Sequence, residues 1–149
     1  LASGASLAYV TDSGTPGLSD PGGRLVELVR TELPEVQIVP VPGPSALATA
    51  VSIAGIPLHE FLFFGFLPHK KGRQTKLTEI GASDRPVILY ESVHRIRKLL
   101  SELARTDKQV IVCRELTKQF ETVYRGSPAD VAAKMPASET KGEFVVIVF

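Results

Sequence analysis

Two short loops rich in proline and glycine, DSGTPGLSDPG at Asp12–Gly22 and PGPS at Pro42–Ser45, constrain this chain more than any other feature. Three glycines and two prolines among the eleven residues of the first loop exclude regular structure there. The apolar run before it, Ser6 to Val10, reads as a short buried strand. A helix follows it, with Asp20 as N-cap, Pro21 at the first helical position, and Leu25, Leu28 and Val29 forming an apolar stripe that runs to about Leu33. Val36 to Val41 repeats the pattern as a second strand, Pro42–Ser45 as a second loop, and Ala46 to Ala54 as an alanine-rich helix stopped by Gly55 and Pro57. Strand, loop, helix, strand, loop, helix is the rhythm of a parallel α/β sheet, whose ligands sit at the carboxyl ends of strands. Both loops fall at such ends.

The alternation breaks near Pro57, so the expected organisation is a first α/β domain over 1–57 and a second over 58–149. In the second, Phe61–Phe66 reads as an aromatic strand, Leu67–Arg73 as a basic loop, Gln74–Ile80 as a helix closed by Gly81, and Pro86–Tyr90 as a buried strand. Ile96, Leu99, Leu100 and Leu103 have amphipathic helical spacing. Gln109–Cys113 is a strand, Thr122–Tyr124 a brief extended piece, Ser127-Pro128 a helix start, and Gly142–Phe149 a terminal apolar strand.

A chain of 149 residues buries roughly 68–70% of its unfolded surface, and 44% hydrophobic content without low-complexity tracts supplies a core. A net charge of +1 announces no polyanionic partner, so a nucleic-acid surface has to be a local patch. The single cysteine, Cys113, cannot form an internal disulfide and lies in an apolar run, which points to a reducing, cytoplasmic setting. No stretch approaches the ~20 apolar residues of a membrane span. The opening on LASGASLAYV and the abrupt final strand read as part of a longer protein.

Glycine loops at strand ends let backbone N–H groups approach a ligand. One such loop is more often a plain turn; two in succession favour a cofactor. The phosphate fingerprints G-x-x-x-x-G-K-[ST] and G-x-G-x-x-G are both absent, which argues against a nucleoside triphosphate or a dinucleotide. Stiffening by proline suggests a rigid wall against a compact ligand. An adenosyl group with a short amino-acid tail fits that wall, although the loop spacing alone selects no ligand. His59, His69 and His94 are scattered and offer no metal set.

Six segments in order, VTDSGTPGLSDPG, PVPGPSALATA, FLFFGFLP, ILYESVHR, VCRELTKQFETVYRG and KGEFVVIV, make the chain resemble the tetrapyrrole-methylase superfamily of S-adenosylmethionine-dependent methyltransferases. Within it the resemblance is to the branch that methylates the ribose 2′-hydroxyl of a cytidine in small-subunit ribosomal RNA. It implies a two-domain α/β fold: a partial N-terminal parallel α/β domain, a C-terminal mixed-sheet α/β domain, S-adenosylmethionine in the cleft between them, and a homodimer. Carried over, Asp12, Ser13, Gly14, Thr15 and Pro16 form one wall of the cofactor site and Pro42, Gly43, Pro44, Ser45 and Ala46 a second. Leu89, Tyr90, Gly142 and Glu143 approach from the other domain. The family's T-P-I-G-N-L-x-D loop, its E-D-T-R segment and the helical tail after the last strand have no counterpart in this sequence, and Val93 stands where proline is common.

Methyl transfer to a hydroxyl requires alignment of oxygen, carbon and sulfur and removal of a proton from a weakly acidic alcohol. Glu91 and Glu115 are the carboxylates directly after buried strands, with Arg114 beside the second, so these three are the catalytic candidates. A structural ion pair with Arg95 or Arg114 is an equally good reading of either acid. His69, Lys70, Lys71, Arg73 and Lys76 cluster without an intervening acid; Lys70, Lys71, Arg73 and Lys76 are the candidate RNA contacts. Arg95, Arg97 and Lys98 read as solvated surface. Two alternatives stand beside RNA methylation: methylation of a precorrin-like tetrapyrrole, and a folded domain that cannot catalyse by itself.

Overall fold

The computed structural model describes residues 1–12, 14–136 and 142–149, and the chain divides into two compact units, Leu1–Ser45 and Ala46–Phe149. Among the described residues the first unit holds one regular element, helix α1 (Gly22–Glu32). Pro21, not Asp20, occupies the N-cap position. Asp20 nonetheless does the work of a cap: its Oδ2 accepts the N–H of Gly22 at 2.7 Å and that of Gly17 at 2.9 Å. These two donors, Gly17 first, hold the Asp20 carboxyl below the usual aspartate range. The strands expected at Ser6–Val10 and Val36–Val41 do not form. A strand is stable only when its N–H and C=O groups pair with a neighbour. No ladder reaches either run among the described residues, and Val10 (81% exposed) and Val41 (87%) lie open.

The second unit is the mixed-sheet α/β domain that the sequence implied. It comprises α2 (Ala46–Ile53), β1 (Leu62–Phe66), α3 (Arg73–Ala82), β2 (Val87–Ser92), α4 (Val93–Leu103), β3 (Val110–Arg114), β4 (Thr122–Gly126), α5 (Pro128–Lys134) and β5 (Glu143–Val148). The sheet order is β1-β2-β5-β3-β4. β1 and β2 are parallel, and the β2–β5, β5–β3 and β3–β4 pairs are antiparallel. Helix α2, expected in the first domain, belongs here because Ala50 and Ala54 are fully buried against Ile88, Ile111, Cys113, Val145 and Ile147. The units therefore divide at Ser45/Ala46 and not near Pro57. The guanidinium of Arg125, on β4, caps the far end of α2 by donating to the carbonyls of Ile53 and Ala54.

The opposite face carries the larger core. Leu89, Val112, Val146 and Val148 meet Leu77 and Ile80 of α3, Ile96, Leu99, Leu100 and Leu103 of α4, and Val131 of α5. The stripe on α4 is the spacing read from sequence. Gly81 does not close α3, which continues to Ala82. α5 starts at the expected Ser127-Pro128, where Ser127 Oγ accepts the N–H of Asp130 at 3.1 Å. Cys113 is a buried free thiol in β3, and burial pushes it up to about 11.

Candidate cofactor and substrate site

In the first unit the two proline-glycine loops meet. The Thr15 hydroxyl donates to the Pro44 carbonyl at 3.1 Å, and Thr11 Oγ1 donates to the Gly14 carbonyl at 2.8 Å. Gly14 takes φ +72°, the left-handed region where a side chain is strained, and faces the Pro44 carbonyl. Asp12, Gly14, Thr15, Pro16, Pro42, Gly43 and Pro44 are exposed and Ser45 is half-buried. They form a fixed, open wall with a hydroxyl–carbonyl tie across it. Ser13, assigned to the same wall, lies outside the described residues.

In the second unit strand direction gathers most of the other candidates. β1, β2 and β3 run one way and β5 the other, so the carboxyl ends of the first three and the start of β5 share one edge of the sheet. Tyr90 pairs with Val145, Glu91 with Phe144, Ser92 with Glu143, and Arg114 with Phe144. Tyr90, Glu91, Arg114, Glu115, Gly142 and Glu143 thus stand together at that edge. Ala46 joins them as the first residue of α2, since the Leu47 N–H reaches the Tyr90 hydroxyl. Burial pushes that phenol up, with the Leu47 contact opposing.

Alternation along β2 then sorts its residues by face. Tyr90 points to the α2 side, edge-on to Phe63 at 5.0 Å and to Phe66 at 5.7 Å. Leu89, expected against the cofactor, points to the other side and is fully buried in the core, with its backbone committed to ladders on both flanks. Glu91 shares that side and is 1% exposed. Its Oε1 accepts the Ser92 N–H at 2.9 Å and pairs with Arg95 Nε at 3.3 Å; its Oε2 lies 3.9 Å from Arg73 Nη1 and has no hydrogen-bond partner among the described residues. A sealed carboxylate flanked by two guanidinium groups is an anchor. It is not poised to take a proton from a substrate hydroxyl.

Glu115 follows the last residue of β3 at φ +50° and clamps the start of β5. Its N–H donates to the Glu143 carbonyl at 3.0 Å, and its Oε1 accepts the Glu143 N–H at 2.9 Å. Lys118 Nζ bridges Glu115 and Glu143 at 3.1 Å each. The Glu143 N–H, aided by Lys118, holds the Glu115 carboxyl below the usual glutamate range, and the two acids raise Lys118. A depressed carboxyl is a weak base, so this geometry favours an ion pair. Gly142 lies so close to Arg114 that a Cβ there would stand 3.1 Å from Arg114 Nε.

The basic cluster separates by burial. Arg73 is 5% exposed and gives a forked pair to Glu102, Nη2 to Oε2 at 2.6 Å, so it is withdrawn from the candidate RNA contacts. Lys76 pairs with Glu79 at 2.7 Å and lies 4.2 Å over the Phe64 ring. Lys70 and Lys71 are exposed. Of the second cluster, Arg95 is half-buried and donates to the Leu67 carbonyl at 2.5 Å, whereas Arg97 and Lys98 are exposed, Arg97 donating to the carbonyls of Met135 and Pro136. Among the described residues no group of His, Cys, Asp and Glu could hold a metal ion. No helix among them is long and apolar enough to cross a membrane.

The sequence model of the tetrapyrrole (corrin/porphyrin) methylases matches residues 1–132, and the chain belongs to that family. Its curated relatives there carry a more particular name, ribosomal RNA small subunit methyltransferase I. That of Xylella fastidiosa is 46% identical over 99% of this chain and 56% of its own length, and that of Vibrio cholerae is 43% identical over 99% and 53%. The chain thus spans little more than half the length of these relatives. Among solved structures, the methyltransferase CobJ superposes with a TM-score of 0.62 at 20% identity, over 92% of this chain and 62% of that one. The uroporphyrin-III C-methyltransferase of Thermus thermophilus, complexed with S-adenosylhomocysteine, gives 0.56 at 16%, over 89% and 62%. At such identities these two share the fold.

Proposed function

We propose that this chain carries part of the machinery of an S-adenosylmethionine-dependent methyltransferase whose substrate is the ribose 2′-hydroxyl of a cytidine in small-subunit ribosomal RNA. The observation that carries the reading is the Thr15–Pro44 hydrogen bond, which holds the two proline-glycine loops as one wall. Rigidity of this kind suits a compact ligand whose binding leaves no loop to be ordered. Asp12, Ser13, Gly14, Thr15, Pro16 and Pro42–Ser45 are the first unit's candidates for holding the cofactor in this reading, and Ala46, Tyr90, Gly142 and Glu143 those of the second unit. S-adenosylmethionine supplies an electrophilic methyl group. Bound there, it would donate that methyl group to the hydroxyl oxygen and leave as S-adenosylhomocysteine, the hydroxyl proton passing to solvent.

The chain's own residues orient these partners: Glu91 and Glu115 act as struts at the sheet edge, with Arg114 beside Glu115. The names of the relatives, at 43–46% identity, support RNA over a tetrapyrrole substrate. A homodimer and a cytoplasmic location complete the proposal, the latter resting on the unpaired buried Cys113. Titration calorimetry with S-adenosylmethionine tests the first step: micromolar binding that weakens at least tenfold in Thr15→Val supports the wall, and equal binding by both removes it. Radiolabelled methyl transfer to small ribosomal subunits, run against a precorrin substrate with the full-length protein, tests the second. Label in the tetrapyrrole alone would overturn the RNA assignment.

A further inference from the structure

Phe66 has no role in the machinery above. It ends β1 with 53% of its surface exposed, and its ring meets Tyr90 edge-on at 5.7 Å and 60°. The ring beneath it is fixed, because Tyr90 is itself packed against Phe63 and reached by the Leu47 N–H. The chain after it is fixed as well. Leu67 is buried, its carbonyl accepts Arg95 Nη2, and the Pro68 carbonyl accepts Arg73 Nη1 at 3.3 Å and Arg95 Nη2 at 3.5 Å. Both arginines are seated on acids, Arg95 on Glu91 and Arg73 on Glu102. On this seat His69, Lys70 and Lys71 are exposed, and neither lysine has an acidic partner among the described residues.

An exposed aromatic ring on a rigid support, followed within five residues by two unpaired cations, is the combination that binds single-stranded nucleic acid. Bases stack on the ring while the cations follow the backbone. A duplex offers its bases already stacked and gives such a ring nothing to cover. We propose that the Phe66–Lys71 segment is a contact for unpaired RNA, with Phe66 stacking one base and Lys70 and Lys71 neutralising the adjoining phosphates. Arg73 and Arg95 position the segment from beneath and touch no nucleotide. This inference rests on the RNA reading and narrows it to unpaired nucleotides and to named residues.

The test measures fluorescence anisotropy of the 149-residue chain with a single-stranded oligoribonucleotide of about 12 nucleotides and with a hairpin of the same composition. Wild type should prefer the single strand. Phe66→Ala should lose about tenfold there and little on the hairpin, Phe66→Tyr should keep the affinity, and neither should shift the melting temperature appreciably. Lys70→Gln with Lys71→Gln should flatten the slope of log affinity against log salt by about 1.4. If wild type binds the single strand and Phe66→Ala binds it equally well, the stacking contact is overturned while the RNA reading stands. Wild type binding neither RNA would overturn both. A change in sedimentation of Phe66→Ala with unaltered RNA affinity would assign Phe66 to a contact between copies and overturn the proposal.

Discussion

Glu91 and Glu115 look alike in sequence, each an acid directly after an apolar strand, and the structure separates them by what surrounds the carboxylate. Glu91 is sealed between Arg73 and Arg95. Glu91→Ala should therefore lower stability by about 3 kcal/mol or more in urea unfolding, since the buried Arg73 and the half-buried Arg95 lose a counter-charge. Glu91→Gln should recover part of this, because an amide oxygen can still accept the Ser92 N–H. Glu115 acts through pH. Its folded value lies below the ordinary 4.5, so its stabilisation is in place above that pH and is lost as pH falls through the depressed value. Glu115→Gln should flatten the acid limb of stability against pH measured by denaturant midpoints. Lys118, raised above 10.5, stabilises fully below that value and stops doing so as pH rises through its higher folded one. At Gly14, φ +72° predicts a cost of about 1 kcal/mol for alanine, together with weaker S-adenosylmethionine binding by calorimetry. Sequence reading marked the residues at the sheet edge, because motif order survives without coordinates. It misplaced Leu89 and Arg73, because which way a side chain faces is set by strand alternation and by partners distant in sequence.

Elements were legible where their own pattern determines them. The apolar stripe of α4 and the Ser127-Pro128 start of α5 stand as read, and Ser127→Ala should cost about 1 kcal/mol by thermal unfolding. The strands of the second unit match to within a residue or two at most ends, since each is a short apolar run with a neighbour to pair with. Ser6–Val10 and Val36–Val41 are also apolar but have no pairing neighbour among the described residues, and a run of that kind says nothing about its partner. Helix α2 shows the reverse. Its alanines read only as helix formers, and their burial against β3 and β5 is invisible until the sheet is assembled. Ala50→Leu should overpack that face and cost about 1–3 kcal/mol, seen as a lower melting temperature.

Across the whole molecule the two units differ in how much they bury. The first buries little besides Gly22 and Val29, whereas nearly all core residues lie in the second. Amides of residues 1–12 and 14–45 should exchange with deuterium faster than those of β2, β3 and β5, which should exchange near the global limit. S-adenosylmethionine should slow exchange at residues 12–16 and 42–45 if those loops hold it. The lone thiol adds a probe within the sheet. Cys113 lies in β3 between β5 and β4, and its thiol stays protonated far above neutral pH. Its side chain projects to the face that α2 covers, so a thiol-specific reagent can reach it only when α2 lifts from the sheet or the domain unfolds. Its labelling rate in native buffer therefore clocks the uncovering of that face, without an engineered reporter.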